Sequence, residues 1–405
     1  MAEHAKFTEE MKKTHTILVP NMLPVHFKLF ISMFEQYGYH MELLETSSRA
    51  VVDEGLKNVH NDTCYPALLV IGQFLEALKS GRYDVNRVAL LITQTGGGCR
   101  ASNYIHLLRK AVEREFPQVP VISLNFSGLE KDSAFKVTPP MFLKLLYCVL
   151  YGDLLMSLYN QCKPYELERD ATDRCLAKWQ KRLEESFANG GYLHTGRNYR
   201  AILEDFAKLE RSRVKKIRVG IVGEIYVKYS PLANNDLEKF LLSEGCEPVV
   251  PALLEFVMYC AAGTVVDAKL YDHTTNMTRL GYKLIYSRLK QQIRIVKQHG
   301  VFDPPHDFEE VRRAADEYIS QGVSMGEGWL IPAEMAMLAK SGTKNIICAQ
   351  PFGCLPNHIV AKGMSRAIKQ KHPDANIVAI DYDPGATRVN QENRIKLMLS
   401  NAKLE

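Results

Sequence analysis

The chain has 405 residues, 46% of them hydrophobic and 24% charged. That excludes a mostly disordered chain and, at about 150 residues per domain, a single ordinary domain. Its 51 basic and 46 acidic side chains leave a net charge of +5, with Lys and Arg scattered along the chain, which argues against a surface built for nucleic acid. Met1 to Lys6 carry no apolar run behind a basic segment, so no secretory signal is expected. No stretch reaches about 18 uninterrupted apolar residues; the longest, Met141 to Met156, is broken by Lys144, Gly152 and Asp153. A cytoplasmic protein without membrane association is the expectation. Its nine cysteines are then core residues, nucleophiles or metal ligands and not a disulfide framework.

In chain order, short β-rich runs alternate with helical stretches, which predicts parallel α/β domains. Thr16–Pro20, Val88–Thr93 and Val119–Leu124 read as the first strands. Such continuous apolar runs suit strands covered on both faces. A charged region, about Tyr165 to Arg213, has helical spacing and a Gly190-Gly191 break. Strand signals resume at Ile217–Val222, Cys246–Val250, Asn345–Cys348 and Asn376–Asp381. The fold class is therefore α/β, with two parallel-sheet lobes, 1–160 and 215–405, joined by a helical connector, 161–214. In each lobe one strand runs into glycine, cysteine and then a helix: Val88–Thr93 before Cys99, and Asn345–Cys348 before Gly353-Cys354. The carboxyl end of a parallel strand is where open α/β sheets place ligands, and two facing lobes would bring these thiols into one cleft.

Three cysteines share a local chemistry, with Gly or Pro beside a thiol at a predicted helix start. Cys64 stands before Tyr65-Pro66, where proline suits a first helical turn. A thiolate there faces unpaired N–H groups and the positive helix end, which is expected to lower its pKa. Cys99 follows Gly96-Gly97-Gly98 and precedes Arg100. The glycines allow close backbone approach and offer N–H donors around an anion. A phosphate-cradling loop is the alternative, although no Gly-Lys-Ser or Gly-Lys-Thr follows. Cys354 stands in Gln350–His358, QPFGCLPNH. Cys148 and Cys260 read as small hydrophobes on apolar helix faces, Cys162 and Cys175 as connector residues, Cys246 as a strand start, and Cys348 as ambiguous. Close CxxC pairs typical of structural zinc are absent. Three converging thiolates leave zinc, with His358 as a fourth ligand, or an iron–sulfur cluster with one open iron.

The motifs resemble the 2-hydroxyacyl-CoA dehydratase superfamily, in the activase-related branch that also forms the C-terminal part of long acyl-CoA dehydratase activase proteins. The resemblance is carried by His60–Pro66 (HNDTCYP), Thr93–Tyr104 (TQTGGGCRASNY), Tyr151–Met156, Val222–Lys228, Gly326–Trp329, Gln350–His358 and Asp381–Ala386, and covers about Thr14 to Leu397. It implies two Rossmann-like lobes with a 4Fe-4S cluster in the cleft, held by Cys64, Cys99 and Cys354. It further implies a lyase chemistry in which a separate ATP-dependent, acetate-kinase-like activator with its own cluster donates one low-potential electron. The cluster then drives radical, oxygen-sensitive dehydration of a small acid or acyl-CoA thioester. The chain lacks that activator domain: Val219–Lys228 carries Gly-Glu-Ile-Tyr in place of an Asp-Gly-Ser/Thr phosphate loop. Relatives pair two homologous subunits, so a homodimer is implied. Some members reduce small molecules at larger double clusters with extra cysteines, for which Cys348 is the one candidate. An ATP-coupled reductase and a noncatalytic electron-transfer subunit are the alternative functions.

Around the thiols, Gly97, Gly98, Arg100 and Gly353 are the candidate cofactor-binding residues, Arg100 also as a partner for an anion. Glu224, Tyr226, Glu327 and His358 are the candidate catalytic groups. Glu224 and Tyr226 follow a strand and either face the cleft or serve as cap and packing. Glu327 lies in a flexible Gly-Glu-Gly turn. Asn357 and His358 follow Cys354 directly. Asp381 and Asp383 end a strand, where turn and cap roles before Pro384-Gly385 suit them better.

Overall fold

The computed structural model describes residues 4–60, 63–94, 98–125, 134–271 and 276–402. All seven predicted strands form, and an eighth, His40–Leu44, joins them. They are β1 Thr16–Pro20, β2 His40–Leu44, β3 Val88–Gln94, β4 Val121–Asn125, β5 Arg218–Gly223, β6 Glu247–Val249, β7 Asn345–Pro351 and β8 Asn376–Tyr382. They build two four-stranded sheets, ordered β2-β1-β3-β4 and β6-β5-β7-β8. Every pairing is parallel. β1 corresponds to β5 and β3 to β7, and the strand order reverses direction between β1 and β3 and between β5 and β7. The carboxyl edge at that reversal is where the chains diverge and leave a crevice. Cys99 follows β3, Glu224 follows β5 and Cys354 follows β7.

The central strands are apolar because helices cover both faces. All seven residues of β7 are buried, and Ile17, Leu18, Ala89 and Leu90 are nearly inaccessible. The helix Tyr65–Lys79 is apolar almost all round and buries thirteen of its fifteen residues, as a helix packed on several sides must. The helical segments Pro139–Cys162, Ala171–Asn189 and Thr195–Ala207 pack with Leu253–Tyr271 and Asn276–His299 from the second half of the chain. Their side chains share one core with the outer face of the first sheet.

The apolar run Met141 to Met156 lies within one helix, Pro139–Cys162, which also holds Lys144, Gly152 and Asp153. With the turn that follows it, this helix is long and apolar enough to cross a membrane, but 72% of its most apolar stretch is buried in the protein. Gly152 lets His26 lie against the helix, since a Cβ would sit 2.4 Å from its ring. Asp153 then joins three elements. It is 2.9 Å from His26 Nε2 and accepts the Leu253 and Leu254 N–H groups at 2.8 and 2.9 Å. Asp153→Ala strands these buried donors and should cost about 3 kcal/mol or more, read as a lower urea midpoint at unchanged slope.

Candidate functional site

Three cysteines from three distant loops line one cavity of about 630 Å³. Each has a local reason to be there. Cys64 is the N-cap of the Tyr65–Lys79 helix, with proline in its first turn. Cys99 is the N-cap of the short turn that leads into Tyr104–Glu115. Cys354 follows β7 through Gly353, whose φ of +76° a side chain would strain. A Cβ on Gly353 would also lie 3.3 Å from Cys64 Cα and 3.2 Å from the Arg100 guanidinium. The two halves are stitched together at this point by Tyr65 N–H donating to the Phe352 carbonyl at 3.1 Å.

Polar partners address two of the sulfurs. The Tyr104 hydroxyl lies 2.6 Å from Cys64 Sγ. Asn357, fully buried, donates through Nδ2 to Cys354 Sγ at 3.2 Å, and its Oδ1 accepts from Cys348 Sγ at 3.5 Å. Cys348 is thus one residue removed from the site, behind Asn357, and is not part of the cavity wall.

The expected low-pKa thiolate at Cys64 is overturned. Burial pushes Cys64 up to about 12, and the Tyr104 hydroxyl offsets only part of this. Burial likewise raises Cys99 and Cys354, with the charges of Glu327 and Glu224 adding to it. At Cys64 the helix end does not outweigh desolvation, to which the Glu224 charge adds. Burial thus favours the protonated thiol at all three sulfurs, and bound positive charge would have to displace those protons. Among the described residues, no three thiols lie within 4.8 Å of one another. They are spread wider than a single ion with metal–sulfur bonds of about 2.3 Å requires.

Glu224 opens onto the cavity yet is enclosed by protein at longer range. It caps its helix by accepting from Val227 N–H at 2.8 Å. Burial, and then the Glu327 charge, push it up to about 8. Glu327 is 6% exposed and accepts from Ile225 N–H at 2.9 Å. Burial raises it too. Its turn is held and not free: Trp329 N–H bonds the Val323 carbonyl at 2.9 Å, and the Trp329 ring is completely buried. Two carboxyls enclosed side by side favour holding protons near neutral pH, as general acids do.

Gly98 and Arg100 line the cavity with Gly353; Gly97 lies outside the described residues. Tyr226 does not line it: its ring packs in the core with Val219, Ile221 and Val227. His358 turns away, with Nδ1 2.9 Å from the Cys354 carbonyl and Nε2 3.9 Å from Asp381, so it braces the loop and offers the cavity no fourth ligand. Asp383 caps its turn by accepting from Gly385 and Ala386 N–H. Sequence reasoning missed Tyr104, Phe256, Tyr259 and Met325 in the wall, and misplaced Cys260, which is exposed at the cavity instead of buried on an apolar face. Phe256, Tyr259 and Cys260 lie on a helix of almost uniform hydrophobicity, so nothing in its pattern distinguishes a cavity face from a core face. Cys148, by contrast, is a fully buried core residue, its Sγ 3.7 Å from the Leu29 carbonyl.

Compared with known proteins, the chain matches no family model, no curated protein and no solved structure. What the fold and site define is an α/β protein with two parallel sheets and a thiol-lined cavity. The family resemblance of its motifs stands on the motifs alone.

Proposed function

We propose that this protein is the iron–sulfur component of a dehydratase-type enzyme, two Rossmann-like halves holding a 4Fe-4S cluster through Cys64, Cys99 and Cys354. The observation that carries this is the meeting of those three cysteines, from distant parts of the chain, in one cavity. In support of it, the Tyr104 hydroxyl and the Asn357 amide are placed to donate hydrogen bonds to thiolates at Cys64 and Cys354. When bound, the cluster supplies a one-electron relay at the cavity wall. The cavity is within the range of small-molecule sites and continues past the sulfurs to Phe256, Tyr259 and Met325. That space favours an enzyme over an electron carrier, which needs no room for a substrate.

Within it, the residues divide the work. Arg100 orients an anionic group of the substrate. Glu224 and Glu327 hold protons on their carboxyl oxygens where a leaving hydroxyl could take one up. The aromatic wall excludes water. The substrate class is a small 2-hydroxy acid, taken as its acyl-CoA thioester, and the electron comes from a separate ATP-dependent activator in the cytoplasm. Anaerobic iron and sulfide analysis tests the proposal: about four of each per chain are expected. Stoichiometric zinc without sulfide would overturn it.

A further inference from the structure

Behind the thiol-lined cavity runs a string of buried charged groups that the reading above does not use. Lys228, on the helix Ile225–Tyr229, is 2% exposed and lies 2.9 Å from Glu334 Oε1. Glu334, on the helix Leu330–Lys340, is 1% exposed. Glu255, in the first turn of Leu253–Tyr271, is 3% exposed, and its Oε1 is 3.6 Å from His306 Nδ1. His306 and Glu255 line a second cavity, of about 360 Å³, with Gln292 and Asp307.

Two features set this string apart from a structural ion pair. Glu334 Oε2 and Glu255 Oε2 are both buried without a hydrogen-bond partner, although the Glu255 charge acts on Glu334. Leaving such oxygens unpaired costs about 1–3 kcal/mol each, and apolar residues of like volume would remove that cost. The charges also do not balance. Glu327, Glu334 and Glu255 are three carboxyls, against one ammonium and one imidazole at the far end. When His306 is neutral, an extra proton on the carboxyls offsets the imbalance.

We propose that Lys228, Glu334, Glu255 and His306 form a proton path from Glu327, in the thiol-lined cavity, to the second cavity. Lys228 accepts on one side as it donates to Glu334 on the other. For each proton entering at Glu327 one leaves at His306 to water, so the charge of the string is unchanged and no other reactant is needed. A substrate filling the first cavity would stand between Glu327 and bulk water, leaving this string as the exit. The direction of flow rests on the function proposed above; the path itself does not.

The surroundings are consistent with this use. Burial raises Glu334 to about 7, against the pull of Lys228 and with the push of Glu255 and Glu327. Burial alone would lower His306, but Glu255, Glu334 and Glu310 together hold it above its ordinary value. Tyr229 and Cys348 are the other titratable groups that feel Glu334.

Infrared spectroscopy of the iron-free chain across neutral pH tests the path. A protonated-carboxyl signal is expected that titrates near neutrality and disappears in Glu334→Gln. In Glu255→Gln and in His306→Gln its midpoint should move by about one pH unit, a tenfold change in the equilibrium, and its hydrogen–deuterium exchange should slow about tenfold. If Glu334→Gln does not fold, His306→Gln, at the cavity wall, carries the test through that shift. A Glu334 carboxylate ionised throughout, or a signal unmoved by both other variants, would reduce the string to an inert ion pair and overturn the path. Because no iron is needed, failure here leaves the iron and sulfide result standing, and the reverse holds as well.

Discussion

Anaerobically purified Cys64→Ala, Cys99→Ala and Cys354→Ala proteins should each lose the brown colour and most of the iron of the parent, while Cys148→Ala retains both. Two neighbouring side chains that could replace a missing sulfur are held away from the cavity. Cys348 is held behind Asn357, and the His358 ring faces the Cys354 carbonyl and Asp381. Under the proposed function each variant loses one of three ligands, a bond that the other two cannot replace, so the expected effect is loss of the group and not a modest weakening. The fold should survive, because Cys64 and Cys354 sit at loop ends and Cys99 is only half-buried. Circular dichroism distinguishes loss of iron from unfolding. Iron retained in all three variants would mean that the sulfurs do not hold it. Cys260 is the informative fourth position. It reaches the cavity, so partial retention of iron in one of the three variants that disappears on adding Cys260→Ala would identify it as the substitute.

The sheets were legible because the strands that build them are apolar on both faces, as β7 is at every position. The strand that escaped notice, β2, is an edge strand. It pairs only with β1, and its His40 and Glu42 are exposed, so it lacks the continuous apolar run that marks a central strand. Cys64, Cys99 and Cys354 were legible from their neighbours: Gly or Pro beside a thiol at a helix start is a local pattern and needs no knowledge of the fold. Their pKa direction was not legible, since it depends on burial and on Glu224 and Glu327, which lie far away in sequence. Tyr226 shows the reverse failure. A residue two positions after Glu224 on a helix points to another face, and it packs in the core. The Lys228, Glu334, Glu255 and His306 string comes from four separate segments, so only the assembled fold brings it together.

The stability of the iron-free protein should fall as pH rises from about 5 to about 8, where its surface acids alone would leave it level. The sign follows from where the carboxyls titrate. Burial, reinforced by Glu327, raises Glu224 from an ordinary 4.5 to about 8, and burial raises Glu334 to about 7. A raised carboxyl binds its proton more tightly in the folded chain than in the unfolded one. Its stabilisation is complete below about 4.5 and is lost as pH climbs through the folded value, at up to about 1.4 kcal/mol per pH unit for each proton. Surface acids act the other way: Lys57 and then Lys79 hold Glu54 below its ordinary value, and that contribution is lost only as pH falls through the acid range. The two trends place the maximum on the mildly acidic side. In Glu224→Gln the amide imitates the protonated acid and its oxygen can still accept from Val227 N–H. Its urea midpoint should therefore decline less between pH 5 and 8 and exceed the parent's at about pH 8. Glu334→Gln separates the two buried acids, because it leaves the Lys228 ammonium without its carboxylate and should destabilise by about 3 kcal/mol or more wherever Glu334 is ionised in the parent. A parent midpoint that rises steadily to pH 8, with Glu224→Gln following in parallel, would mean that Glu224 is ionised in the folded chain and does not store a proton beside the thiols.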